Sequence, residues 1–140
     1  MPNRSETGNR TNRCRVLIIE DHDDIRIVLE MMIQAQGFEA ACVASPEEAL
    51  ALAITFIPHV ILSDISLPQM DGHELLDALR QLPGLESVPA IALTGMTDRL
   101  GQFEENSRFE VYLAKPIDYD LLFEKIDTLT KSSCGKVNRI

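Results

Sequence analysis

The sequence predicts a three-layer α/β sandwich, a five-stranded parallel sheet with helices on both faces. Three observations carry this expectation. Five short runs, Val16-Leu17-Ile18-Ile19, Ala40-Ala41-Cys42-Val43, Val60-Ile61-Leu62, Ala90-Ile91-Ala92-Leu93 and Val111-Tyr112-Leu113-Ala114, are continuously apolar rather than alternating, as strands buried on both faces require. Between them apolar residues recur at three- and four-residue spacing, the period of an amphipathic helix. Strand and helix patterns alternate in this way along the 140 residues, and successive β-α units joined by right-handed crossovers cover both faces of one sheet.

Taken in order, residues 1–13 are rich in Asn, Arg, Thr, Ser and Gly and read as a flexible tail. The first helix carries Ile25, Val28, Leu29, Met32 and Ile33, with Gly37 where the chain needs a left-handed residue to leave it. The Met31-Met32 pair is assigned to the core. Ser45-Pro46-Glu47-Glu48 supplies an N-cap, a proline in the first helical position and a capping-box glutamate, and this second helix ends before Pro58. Leu75, Leu76, Leu79 and Leu82 form a third helix closed by Pro83-Gly84. A fourth, over 97–106, has only Leu100 and Phe103 as large apolar residues, so it is expected to be loosely held and mostly exposed. Asp118 caps the last helix, which carries Leu121, Leu122, Phe123, Ile126 and Leu129. One domain over 14–131 and a second flexible tail over 132–140 complete the expected organisation.

Composition excludes several classes. With 45% hydrophobic and 25% charged residues, the chain is neither disordered nor of low complexity. Its net charge is −9, which argues against a nucleic acid backbone as partner. Three arginines against one glutamate give residues 1–13 a charge of +2, and two lysines and an arginine give residues 131–140 +3, leaving −14 on the segment between. Cys14, Cys42 and Cys134 are odd in number and show no CxxC or Cys/His spacing, so neither a disulfide framework nor a zinc site is expected. A reducing, cytoplasmic home fits. The longest apolar runs are too short to cross a bilayer, and membrane insertion is not expected.

In open parallel sheets, ligands bind beyond the carboxyl ends of the strands. Here those ends carry Glu20-Asp21, Ser63-Asp64, Thr94-Gly95 and Lys115-Pro116. Three carboxylates on one rim repel unless a cation joins them. Mg²⁺, or Mn²⁺ in its place, suits a set of hard oxygen donors completed by waters and phosphate oxygens. A lysine and a hydroxyl on the same rim can bind a phosphoryl group, and a carboxylate between cation and lysine can accept one as nucleophile.

Four motifs then stand in order: Ile19-Glu20-Asp21; Leu62-Ser63-Asp64-Ile65-Ser66-Leu67-Pro68-Gln69-Met70-Asp71-Gly72; Ala92-Leu93-Thr94-Gly95; and Tyr112-Leu113-Ala114-Lys115-Pro116. Together they closely resemble the receiver domain of two-component response regulators, over essentially residues 14–130. The resemblance implies the flavodoxin-like (βα)5 fold with strand order 2-1-3-4-5. It implies Asp64 as phosphoacceptor for a sensor kinase phosphohistidine. Glu20, Asp21, Asp64 and the Ser66 backbone carbonyl would hold the metal. Thr94 and Gly95 would meet the phosphoryl group, Lys115 would neutralise it, Tyr112 would turn inward behind Thr94, and the bond before Pro116 would be cis.

Within that resemblance, Glu20 stands where Asp is frequent, and the 106–111 segment lacks the glycine that normally ends the fourth helix. Apolar Met96 is expected to shield the phosphoryl group from water. The expected partners are a sensor histidine kinase or histidine phosphotransfer protein, and a downstream protein bound through the fourth helix, fifth strand and fifth helix. That face also allows a phosphorylation-dependent homodimer. No output domain, DNA-binding or enzymatic, is expected, and the chain would be a stand-alone receiver or that of a hybrid histidine kinase. Two rival classes are a phosphorylation-independent interaction module and a flavin or nucleotide enzyme. The first predicts a damaged pocket. The second needs a glycine-rich loop after strand one, where Glu20-Asp21-His22-Asp23-Asp24 presents negative charge instead. His22, His59 and His73 lack neighbours at ligand spacing and are assigned to surface or turns, with His22 beside the acidic pocket, where a modest effect on pH dependence is expected.

Overall fold

The computed structural model describes residues 13–65, 71–95 and 108–134. Its five strands, β1 (Arg15–Ile19), β2 (Glu39–Val43), β3 (Val60–Asp64), β4 (Ala90–Thr94) and β5 (Val111–Ala114), form one parallel sheet of order β2-β1-β3-β4-β5. Four helices are described: α1 (Asp23–Ala35), α2 (Pro46–Phe56), α3 (Gly72–Leu79) and α4 (Tyr119–Cys134). This is the flavodoxin-like arrangement. The expected 97–106 helix, most of the two tails, Ser66 and Met96 lie outside the described residues.

Successive residues of a strand face opposite sides, which sorts the core into two layers. Leu17, Ile19 and Ile61 pack with Ala53 and Phe56 of α2 and Leu75 and Leu79 of α3. Val16, Ile18 and Leu62 pack with Leu29 and Ile33 of α1 and Leu122 and Ile126 of α4. Register then aligns the strand ends. Ile19 is level with Ser63, Asp64 with Leu93, and Thr94 with Ala114. Glu20, Asp64, Thr94 and Lys115 therefore emerge on one rim.

Local chemistry ends and starts the helices as the residues require. Ser45 Oγ accepts the Glu48 amide at 3.2 Å, and Glu48 Oε1 reaches back past the cap to accept the Ala44 amide at 2.8 Å, a variant of the expected capping box. Ser45→Ala is expected to cost about 1 kcal/mol in urea unfolding, and no loss would show that α2 is held by packing alone. Gly37 leaves α1 with φ 99, a backbone conformation costly for other residues. Asp118 Oδ1 accepts the Leu121 amide at 3.2 Å to start α4.

Four expectations are corrected. The Met31-Met32 pair is not core: Met31 is 64% and Met32 36% exposed, as is much of Val28, because a helix laid on a sheet buries only a narrow stripe. Leu82 lies past the end of α3, in the turn that follows. The last helix runs to Cys134, beyond the 131 boundary. Finally, Cys14 and Cys134 are joined by a disulfide, Cα–Cα 5.6 Å, across 120 residues of sequence. The parallel topology starts β1 and ends α4 at the same end of the molecule, a proximity no local spacing encodes.

Candidate functional site

Each group on the rim is supplied by the residue at, or just after, the end of a strand, buried for β1, β3 and β4 and half-buried for the edge strand β5. Glu20 is wholly buried and Asp64 nearly so. The Lys115 Nζ donates to both, 3.1 Å to Glu20 Oε1 and 3.2 Å to Asp64 Oδ2. Burial works against the Lys115 ammonium, but the Asp64 charge, and then the hydrogen bond and charge of Glu20, outweigh it and hold the group above the usual lysine range. Lys115 is itself placed by its amide, which donates to the Thr94 carbonyl at 2.8 Å, and its bond to Pro116 is cis.

Oxygen atoms of Glu20, Asp21 and Asp64, with a ring nitrogen of His22, lie within 4.8 Å of one another. Among the described residues Asp21 Oδ1 is buried with no hydrogen-bond donor, the His22 ring nitrogen standing 3.4 Å away. A buried carboxylate oxygen without a donor, among two further carboxylates, is what a hard divalent cation would satisfy. The donor set fits Mg²⁺. His22 is a surface residue and lies beside this cluster, as its place next to Asp21 in the sequence implies. Its Nδ1 is 3.0 Å from Glu20 Oε2, and that hydrogen bond, followed by the Asp21 and Glu20 charges, raises its pKa above the ordinary histidine value.

The other expected residues lie where the strand ends put them. Thr94 is buried at the end of β4. Gly95 is exposed, and a Cβ there would meet nothing within 4 Å. Tyr112 is half-buried on β5, its hydroxyl 3.0 Å from His73 Nε2, while His73 Nδ1 is 3.1 Å from Asp71 Oδ1. Phe109, buried, packs edge-on against both rings. The assignment of His73 to surface or turns leaves this contact out, because Tyr112 is 39 residues away and no spacing links the two; Phe109, three residues before Tyr112, is not among the expected site residues. The segment without the family glycine is anchored instead by charges: Arg80 donates to the Arg108 carbonyl at 2.7 Å and pairs with Glu110 at 3.2 Å, and Arg108 pairs with Asp77 at 2.9 Å.

The family model of the response regulator receiver domain matches residues 16–127. The chain belongs to that family. It is a receiver domain of two-component signalling, a phosphoacceptor switch rather than an enzyme in the ordinary sense. The receiver is 28% identical to the chemotaxis protein CheY4 of Vibrio cholerae, whose structure superposes with a TM-score of 0.76 over 84% of this chain and 98% of that one. It is 38% identical over 106 residues to an uncharacterised 14.6 kDa protein of Leptolyngbya boryana, covering 74% of this chain and 79% of the relative. With the response regulator PleD of Caulobacter vibrioides it shares 31% over 120 residues, 84% of this chain but 26% of PleD. Receivers of this family work with histidine kinases or histidine phosphotransfer proteins. Among the described residues no helix is long and apolar enough to cross a membrane.

Proposed function

We propose that Asp64 takes a phosphoryl group from a phosphohistidine of a sensor kinase or phosphotransfer protein, and that the resulting acyl phosphate shifts the receiver to a second conformer recognised by another protein. The observation that carries this is the single ammonium shared by two buried carboxylates, Glu20 and Asp64. In the transfer, an Asp64 carboxylate oxygen forms the new O–P bond as the donor N–P bond breaks. Lys115, already at 3.2 Å from Asp64, follows the charge onto the phosphoryl oxygens. Glu20, Asp21, Asp64 and the Ser66 carbonyl would hold Mg²⁺ or Mn²⁺, which when bound neutralises charge on the transferring group.

Thr94 and Gly95, at the end of β4, meet the phosphoryl group in this reading, and Tyr112 follows Thr94 inward. Loss of the group by hydrolysis in the same pocket resets the switch, so the receiver assists both its own phosphorylation and dephosphorylation. The downstream partner docks through β5 and α4 together with residues 97–106, and the same region serves a homodimer of the phosphorylated form. The phosphodonor approaches over α1, whose Ile27, Val28 and Met31 are exposed and whose Ile25 and Val28 border an apolar cleft of about 380 Å³ reaching Lys115. The setting is cytoplasmic, where histidine kinases carry their phosphoryl groups, and the independently folded domain spans 14–131 with the end of α4.

Intact-protein mass after incubation with a small-molecule phosphodonor and Mg²⁺ tests the reading. Wild type is expected to gain one phosphoryl group, with none gained in Asp64→Asn or in chelator. An adduct that survives in Asp64→Asn would refute it, and none on the wild type with either small donors or a phosphorylated histidine kinase would favour the phosphorylation-independent module.

A further inference from the structure

We propose that Cys14 and Cys134 are a reversible redox clasp, opened and closed through Cys134 by low-molecular-weight thiols and disulfides, that fastens the end of α4 to the head of β1. The pair closes almost the whole chain, 120 residues apart in sequence with Cα atoms 5.6 Å apart. A ring nitrogen of His59 lies within 4.8 Å of both sulfurs, and the ring is fixed because Nδ1 accepts the Arg15 amide at 2.9 Å.

The two sulfurs differ in access. Cys14 is completely buried in the layer packed by α1 and α4, while Cys134 is partly exposed at that layer's edge. At the same end of the molecule a cleft of about 290 Å³ is lined by His59, by Arg15 next to Cys14 and by Ser133 next to Cys134, so the difference in access rests on the burial of the two cysteines themselves. A small thiol can therefore approach one sulfur and not its partner. A thiolate attacks Cys134 Sγ, the S–S electron pair moves to Cys14 Sγ, and that sulfur takes a proton. A second thiolate then attacks the mixed disulfide and releases the small-molecule disulfide, leaving Cys134 as a thiol. In sum, protein disulfide and two thiols give protein dithiol and one small disulfide. The reverse reaction, with the small disulfide as oxidant, closes the clasp.

Cys42 serves as an internal control. Burial, and then the Glu30 charge, push its thiol up to about 12, and its Sγ faces the Arg26 carbonyl at 3.6 Å. Cys14 precedes the first residue of β1, at the end of the sheet opposite Asp64. The clasp thus acts on the hold of α4 and on the unfolded chain, not on the rim.

The test uses the full chain in reduced and oxidised glutathione, acid-quenched and alkylated for intact mass, with thermal melts in parallel. Oxidised protein is expected to alkylate once and reduced protein three times, and reduction to lower Tm by on the order of 10 °C. Cys14→Ser is expected to trap one glutathione on Cys134, and Cys134→Ser none. Asp64 phosphorylation should be unchanged in Cys134→Ser. Three alkylations after oxidised glutathione, an adduct on Cys42, or a melt indifferent to reduction would overturn the proposal. So would a reduced protein whose Tm is restored by Zn²⁺ and not by oxidation, since the same three residues would then be a metal site. The wild-type measurements stand even if a cysteine variant fails to fold.

Discussion

Lys115→Ala is expected to slow phosphorylation of Asp64 by about two orders of magnitude and to destabilise the protein in chelator by about 2–3 kcal/mol. Both effects have one origin. The ammonium stands 3.1 Å from Glu20 and 3.2 Å from Asp64, and its removal leaves two buried carboxylates facing each other with Asp21 close by. Because the lysine side chain keeps some exposure, the stability loss falls below that of a fully buried pair. Lys115 is held above its ordinary pKa, so its contribution is complete at every pH below the usual lysine value and is lost as pH rises through the folded value. At neutral pH the full effect is therefore read. Two controls separate its parts. Mg²⁺ should restore stability, since it supplies charge to the same carboxylates, but should not restore the rate. Lys115→Ala with Glu20→Gln should likewise recover part of the stability and none of the rate. Urea curves that coincide with wild type in chelator, or an unchanged phosphorylation rate, would mean that this ion pair is incidental.

The rim was legible in the sequence because its residues are adjacent to strands whose apolar runs mark them plainly. Ile19, Leu62, Leu93 and Ala114 each end such a run, and in a parallel sheet the polar residue one or two positions further on, Glu20, Asp64, Thr94 or Lys115, emerges on the common edge. The sheet order came from the resemblance, since apolar runs of similar composition carry no information about which strands are neighbours. What was not legible depends on pairs far apart in the chain. Cys14 meets Cys134 across 120 residues, and His73 meets Tyr112 across 39, with no spacing to announce either. The apolar stripe of α1 misled in another way. Ile25, Val28, Leu29, Met31, Met32 and Ile33 read as one core face, yet only Leu29 and Ile33 are buried within the helix. Periodicity reports which side of a helix is apolar, but the width of the contact is set by the sheet beneath it, and the surplus on α1 lies next to the cleft that reaches Lys115.

Gly72→Ala should lower both stability and phosphorylation rate although it touches no group that bonds the phosphoryl. Gly72 opens α3, and its amide donates to the Ile65 carbonyl at 3.0 Å. A Cβ there would lie 3.0 Å from Ile65 Cα, 3.2 Å from the Asp64 carbonyl oxygen and 3.3 Å from the Ile65 carbonyl oxygen. All three are backbone atoms, so no side-chain rotation relieves the contact. Either α3 backs away or the exit of β3 moves. Alanine gains at most about 1 kcal/mol over glycine from helix propensity, and less at a first helical position. Overpacking against backbone costs about 1–3 kcal/mol, so the steric term wins and a net loss of about 1–2 kcal/mol is expected in urea unfolding. The rate should suffer more. Asp64 must keep its place relative to Glu20 and Lys115, which come from other strands, and a misplacement of about 1 Å at such a site can cost up to roughly 10²-fold. Gly95→Ala is the matched control for stability, since its Cβ would meet nothing within 4 Å. A Gly72→Ala protein that unfolds and phosphorylates like wild type would show that α3 can retreat without moving β3. In that case the close approach would be a packing convenience and not the support that holds Asp64 in place.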